Sequence, residues 1–140
     1  MAGQMEIKAR AEGTGGALGV LEGRFFEEGY RPPLHVHSRE DEAMYVLEGQ
    51  IRFPVGGDEF VAGPDTWVWQ PRGVPHAFKV ESEGERALVI FTPGGLERML
   101  EEGGVPAGES AEPPQQEYDL EAAAALAKRY GFEVVGPQLA

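Results

Sequence analysis

Two of the three histidines in this chain, His35 and His37, are separated by a single residue. In a β-strand, residues i and i+2 point to the same face and lie about 6.6–7 Å apart at Cα, so both imidazoles can lean towards one ion. Metal–nitrogen bonds of about 2.0–2.1 Å suit that spacing. Because such pairs also occur on exposed strands, the pair alone leaves both a metal site and a polar surface open.

Two further residues can join this pair. The polar turn Ser38–Asp41 leads into Glu42, and a hairpin there would return Glu42 to the side of the histidines as an oxygen ligand. The proline-rich turn Pro71–Pro75 delivers His76 at the start of another predicted strand. Glu42 also ends an acidic run, and such runs are usually solvated, so a surface role for it stays open.

The spacing of these residues resembles that of the cupin family. The first cupin motif is matched at every defined position, and much of the second is present, by Gly29-x5-His35-x-His37-x4-Glu42-x6-Gly49 and Pro71-x-Gly73-x2-His76. The second motif departs from the family pattern at its first and last positions, which are Asp65 and Val80 here. Neither departure removes a ligand, and the resemblance is greatest to small single-domain cupins of the quercetin dioxygenase type.

The resemblance implies a mainly β fold, a double-stranded β-helix (jelly-roll) barrel, with one divalent metal ion inside it. The metal could be Mn, Fe, Ni, Cu, Co or Zn, since imidazole and carboxylate ligands do not select one of these. Glu42 is expected to act as a ligand or as the catalytic base. The protein ligands that the resemblance implies are His35, His37, Glu42 and His76.

Short apolar segments separated by glycine and proline would hold these residues in place. The chain contains 20 glycines and 11 prolines, and they are spread along it rather than gathered in one linker. Regularly spaced short segments of this kind are typical of an all-β sandwich or barrel. The predicted strands are residues 17–26, 34–37, 43–47, 50–55, 59–62, 66–70, 76–81 and 85–91.

Alternation within these segments predicts the pocket lining. Phe53 lies on the apolar face of its segment, Phe78 and Val80 alternate in phase with His76, and Trp67 shares a face with a second tryptophan. We therefore expect Phe53, Trp67, Phe78 and Val80 to line the pocket. For the two tryptophans, core packing is favoured over a stacking platform for a ligand, because aromatic residues with period two are common in strands.

After the last predicted strand the pattern becomes helical. Thr92 is a candidate N-cap for a helix that ends at Gly103, and a second helix is predicted over about residues 119–130. Residues 105–116 between them are typical of a loop, and residues 132–135 could add an edge strand. These patterns predict a barrel, residues 1–92, and a helical C-terminal extension, residues 93–140, packed on the barrel or on a partner.

Composition limits the classes of partner. Twenty-four acidic against twelve basic side chains give a formal net charge of −12, which disfavours nucleic acid and anionic membranes as partners. The chain has no cysteine, which excludes disulfides and thiolate metal sites and favours a reducing compartment. No signal-peptide pattern opens the sequence, so we expect a cytoplasmic protein.

The resemblance to quercetin-type cupins implies a metal-dependent dioxygenase that acts on a small enol or phenol-type substrate. One alternative is a cupin that binds a small molecule without turnover. Another is a metal-dependent sugar isomerase, which would need inward-facing cations, and Arg24 and Arg52 are the candidates. The resemblance also implies a homodimer, since pairing would cover exposed sheet edges.

Overall fold

The computed structural model describes residues 4–103 and 120–139, and about half of these residues belong to β-strands. Two short helices, α1 (Leu96–Gly103) and α2 (Leu120–Arg129), lie in the C-terminal part. The mainly β fold with two helices is therefore confirmed, while the predicted loop at residues 105–116 lies outside the described residues. The strands are β1 (Gln4–Ala9), β2 (Gly19–Phe26), β3 (Pro33–His37), β4 (Asp41–Glu48), β5 (Ile51–Val55), β6 (Asp58–Ala62), β7 (Thr66–Gln70), β8 (Lys79–Val80), β9 (Glu85–Thr92) and β10 (Phe132–Gln138).

The strands form one large antiparallel sheet and two smaller groups. The large sheet has the order β1-β2-β9-β4-β7, and the smaller groups have the orders β10-β3 and β6-β5-β8. His76 connects the two smaller groups, because its backbone bridges both His35 of β3 and Val55 of β5. Residues from both sides fill one shared hydrophobic core: Met44, Val46, Ile51, Phe53, Ala62, Val68 and Ala87.

Most predicted strands match the observed ones within two residues at each end, and residues 66–70 match fully. The segment 76–81 was predicted too long, since only Lys79 and Val80 pair as a strand and His76 contributes isolated bridges. Strand β1 was not predicted, because its residues are mostly half-buried or exposed and show no clear alternation. Helix α1 begins at Leu96, and the proposed N-cap Thr92 is instead the last residue of β9.

The turn after β3 is a corner between sheets rather than a hairpin. Strand β3 pairs with β10, whereas β4 pairs with β7 and β9, so β3 and β4 belong to different sheets. The predicted hairpin that returns Glu42 beside the histidines is therefore wrong. Glu42 instead faces them from the opposite sheet, across the interior.

Helix α1 is fixed to the large sheet by apolar packing and by a buried carboxylate. Leu96 packs with Leu21 and Phe91 in a second core cluster. Glu97 is fully buried, and its two carboxylate oxygens accept hydrogen bonds from the backbone N–H groups of Gly95 and Ala11 at 2.6 and 2.9 Å. None of the described helices is long and apolar enough to cross a membrane.

A second buried carboxyl group, that of Glu85, lies at the first residue of β9. It is 3% exposed, and no described residue offers its Oε2 a hydrogen bond. Burial raises the pKa of Glu85 to about 7. Phe91, the Cα partner of Glu42, lies six residues further along the same strand. Glu85 is therefore about 20 Å along β9 from the position that pairs with Glu42.

Candidate metal centre

The three histidines meet because of strand geometry. His35 and His37 alternate inward along β3, with exposed fractions of 5% and 2%. His76 is paired with His35 through two backbone hydrogen bonds, from His35 N to His76 O at 3.0 Å and from His76 N to His35 O at 2.9 Å. As a result, the three ring centroids lie 4.5–4.9 Å from one another.

Glu42 completes the group from the opposite sheet. Its Oε1 lies 2.9 Å from His37 Nε2 and 3.6 Å from His76 Nε2. The neighbouring Asp41 faces away and pairs with Arg72, so the carboxylate that enters the interior is the one selected by the motif spacing. One ligand atom from each of His35, His37, Glu42 and His76 lies within 4.8 Å of the other three, and all four residues are buried.

Backbone carbonyls set the orientation of two of the imidazoles. Pro33 O lies 2.7 Å from His35 Nδ1, and Val74 O lies 3.1 Å from His76 Nδ1. A carbonyl can only accept, so each Nδ1 carries the proton and each Nε2 keeps a free lone pair. Metal-binding histidines are commonly oriented by a contact of this kind.

Several nitrogens of the cluster have no hydrogen-bond partner within the part of the chain that the structure describes. These nitrogens are Nδ1 and Nε2 of His37 and Nε2 of His76. The 2.9 Å contact between His37 and Glu42 does not have hydrogen-bond geometry, although the two atoms are close. Buried polar atoms without partners are costly, and a cation would take one nitrogen from each of these two rings, leaving one nitrogen of His37 without a partner among the described residues. The donor set thus fits one divalent metal ion.

Burial and the contacts within the cluster shift the pKa values of three of its groups. Burial, followed by the nearby His76, lowers the pKa of His35 to about 4, so that ring is neutral at pH 7. Burial alone would raise the pKa of Glu42, but the contacts with His37 and His76 outweigh burial and lower this pKa to about 2. Burial opposes the charged form of His76, yet its contact with Glu42 raises its pKa.

Two aromatic side chains that the sequence did not suggest enclose the cluster. Phe132 of β10 stacks on His35 with a centroid distance of 4.4 Å and an interplanar angle of 14°, and lies 5.3 Å from the His37 ring. Phe91 of β9 meets His37 edge-on at 6.3 Å. The weak strand pattern at residues 132–135 was the one available signal for Phe132.

The residues predicted to line the pocket divide into two groups. Phe53 and Val80 are fully buried in the barrel, and Phe78 is half-buried against both of their clusters. Trp67 is 55% exposed and lies on the outer face, so its prediction as a lining residue is wrong. The alternation of β7 was assigned in the wrong phase, because the inner face carries Val68 and Gln70.

Gln70 is a further inward residue that the sequence did not suggest. It is the Cα partner of Glu42 in the pairing of β4 with β7, and its side chain is fully buried. Neither Oε1 nor Nε2 of its amide has a hydrogen-bond partner among the described residues. A polar group of this kind therefore adjoins the carboxylate of the cluster.

Comparison with known proteins gives one family and one curated relative. A family model described as a cupin domain matches residues 21–93. The chain is similar to quercetin 2,3-dioxygenase of Bacillus subtilis (strain 168), with 26% identity over 82 residues, which are 59% of this chain and 24% of that protein. The aligned part thus spans about a quarter of the length of the curated relative.

Solved structures show the same fold. KdgF from a Halomonas species superposes with a TM-score of 0.61 at 20% identity, covering 68% of this chain and 83% of that one. Oxalate decarboxylase from Bacillus subtilis gives a TM-score of 0.57 at 24% identity, covering 66% of this chain and 25% of that one. At these identities the likeness concerns the fold alone, and it confirms the predicted jelly-roll architecture.

Proposed function

The chain belongs to the cupin family, and on that premise we propose that it is a metal-dependent dioxygenase acting on a small enol or phenol-type substrate. The observation that carries the proposal is the convergence of three imidazoles and one carboxylate, all buried, within 4.8 Å of one another. The proposed protein ligands are His35, His37, Glu42 and His76.

The donor set limits the chemistry. Three neutral imidazoles and one carboxylate around a divalent ion give a site with a net charge of about +1 that suits Mn, Fe, Co, Ni, Cu or Zn. When bound, such an ion acts as a Lewis acid that lowers the pKa of a substrate hydroxyl group and holds its oxygen. The fixed Nδ1 contacts of His35 and His76 keep both rings in place, so little reorganisation is needed.

Glu42 is the residue to which we assign proton transfer. Its low pKa keeps it ionised at neutral pH, and Oε1 lies between His37 and His76, where it can accept a hydroxyl proton or serve as a ligand. Phe132 and Phe91 cover the imidazoles and would keep water away from a reacting oxygen. Phe53, Phe78 and Val80 extend the apolar lining in this proposal.

The choice of a dioxygenase rests on similarity to quercetin 2,3-dioxygenase, an enzyme named for the oxygenation of quercetin, which is a phenol. The match to the cupin domain, residues 21–93, contains all four clustered residues. A cluster with one ionised carboxylate, enclosed by Phe91 and Phe132, suits a neutral substrate with an acidic hydroxyl group better than a highly charged one.

Metal analysis tests the site itself. Protein purified without chelator is expected to contain about one divalent transition metal per chain, measured by elemental analysis. Alanine at His37 or His76, or glutamine at Glu42, should lower that content at least tenfold. Glu48→Gln is the matched control, because Glu48 is exposed at the far end of the same strand. Equal metal content in all of these variants would refute the assignment.

Oxygen consumption tests the reaction. The metal-loaded protein is incubated with flavonols, catechols and enediols under an oxygen electrode, and products are identified by mass spectrometry. Uptake that requires metal and is lost in Glu42→Gln is the expected result. A ligand that raises the melting temperature without any product would instead identify the chain as a binding cupin without turnover.

The sugar isomerase alternative receives less support. The two arginines proposed as phosphate binders are each engaged with carboxylates: Arg24 with Glu6 and Glu22, and Arg52 with Glu81 and Glu59. Both arginines would have to leave these partners to bind a phosphosugar. Metal-dependent isomerisation of a phosphosugar, lost on mutation of either arginine, would reverse this ranking.

A homodimer remains part of the proposal. Strand β7 ends the large sheet and carries Trp67 and Trp69, which are 55% and 44% exposed on its outer face. An aromatic edge of this kind is a reason for self-association. Light scattering that gives the mass of one chain at micromolar concentration would refute it.

A further inference from the structure

The buried amide of Gln70 has no structural role that the described residues explain. Its side chain is fully buried on the inner face of β7, and no described residue makes a hydrogen bond with either of its polar atoms. A primary amide can donate two hydrogen bonds and accept two. Burying it unpaired costs free energy, whereas an apolar side chain of the same volume would not.

Gln70 also lies beside the histidine and glutamate cluster. Directly paired residues on one sheet face have Cβ atoms about 4.5–5.5 Å apart, and Gln70 is the direct partner of Glu42. The neighbours on that inner face are apolar, with Val68 two residues earlier on β7 and Met44 two residues later on β4. The amide is thus the polar group that adjoins the cluster on this side.

We propose that Gln70 is a specificity-determining residue that binds a second oxygen of the substrate, next to the oxygen held at the cluster. This inference rests on the proposed function, since it assigns the second contact point of the same ligand. Gln70 is neutral and Glu42 beside it is ionised, so the pair favours an uncharged oxygen over a second anionic group. An amide that both donates and accepts suits a hydroxyl or carbonyl oxygen equally. The substrate class is therefore a neutral molecule with two adjacent oxygens, such as a catechol or the enol of a hydroxyketone.

The test compares Gln70→Met with wild type, using the full chain loaded with metal. Methionine has a similar volume and no amide, so it removes the hydrogen bonds with little change in packing. Gln50→Met is the matched control, because Gln50 is exposed. The probes are catechol, which has two adjacent oxygens, and phenol, which has one. Metal content, melting temperature and the Kd of each probe by calorimetry are measured for every variant.

Five results together would support the proposal. Gln70→Met keeps its metal, and its melting temperature equals or exceeds that of wild type, because an unpaired buried amide has been removed. Its Kd for catechol rises about tenfold, equivalent to about 1.4 kcal/mol, while its Kd for phenol changes less than about threefold. Gln50→Met changes none of these quantities.

Each other outcome overturns the proposal in a recognisable way. Lost metal would place Gln70 among the ligands, and a lower melting temperature with unchanged affinity would assign it to a buried water. An equal loss of affinity for catechol and phenol would refute the contact with a second oxygen. If wild type did not bind catechol, the proposed substrate class would be wrong. Oxygen uptake, measured separately, distinguishes the two hypotheses. Catechol binding that depends on Gln70 without oxygen uptake refutes the dioxygenase alone, and uptake that Gln70→Met leaves unchanged refutes the role of Gln70 alone.

Discussion

Replacing Glu85 by glutamine tests the barrel interior without any metal. Burial raises the pKa of Glu85 to about 7 from its ordinary value of 4.5. A native state with the higher pKa binds the proton more tightly than the unfolded chain does. This contribution to stability is therefore fully present below about pH 4.5 and is lost as the pH rises towards 7. Glutamine keeps the shape of the side chain and does not titrate.

The size of the effect follows from the two pKa values. The difference between about 7 and 4.5, at about 1.36 kcal/mol for each pKa unit, is about 3 kcal/mol. For a single site, the advantage of Glu85→Gln over wild type should grow by about 2 kcal/mol from about pH 4 to pH 6, and by about 3 kcal/mol from about pH 4 to pH 8. These are upper values, because the unfolded chain keeps some residual structure.

The measurement is the free energy of unfolding in urea, at these three pH values, on protein treated with chelator. Taking the difference between variant and wild type cancels the titration of His35 and Glu42, which both proteins share. Glu83→Gln removes a carboxylate from an exposed position two residues away and controls for the change in net charge. A difference between Glu85→Gln and wild type that stays constant within about 0.5 kcal/mol from about pH 4 to pH 8 would refute the reasoning.

Three further outcomes are expected. Phe132→Ala should lower the free energy of unfolding by about 2 kcal/mol, because the stacking of Phe132 on His35 is lost. An unchanged urea midpoint would contradict this packing. Glu97→Ala should cost about 2–4 kcal/mol because it leaves the backbone N–H groups of Ala11 and Gly95 without their acceptor, whereas near-wild-type stability would mean that water replaces it. The free energy of unfolding should be about 2.7 kcal/mol lower without metal than with metal at one hundred times its Kd. Calorimetric scans that coincide with and without metal would argue against a bound ion.

The position of the cluster could be predicted because short-range rules determine much of it. The period of a strand places His35 and His37 on one face, and the spacing to Gly49 distinguishes Glu42 from the adjacent Asp41. The structure gives the physical counterpart, since Asp41 pairs with Arg72 on the outside while Glu42 enters the interior. What spacing could not reveal is that β3 and β4 belong to different sheets.

The errors have a common cause in long-range packing. Alternation in residues 66–70 shows which side chains share a face, but it does not say which face is buried. The larger Trp67 was assigned to the interior, whereas the core beside Met44 accommodates the smaller Val68. The contribution of Phe132 depends on a pairing between β10 and β3 that local sequence does not encode.

The pairing of β10 with β3 has a consequence for how the protein matures. On the ribosome, His76 is made 56 residues before Phe132, which at about 5–20 residues per second is an interval on the order of 3–10 s. Throughout that interval the donor atoms exist while the aromatic cover over them does not, so an ion captured early would exchange freely with its surroundings. If the cluster binds a metal ion, stable loading would therefore depend on β10, which is synthesised after all four proposed ligands.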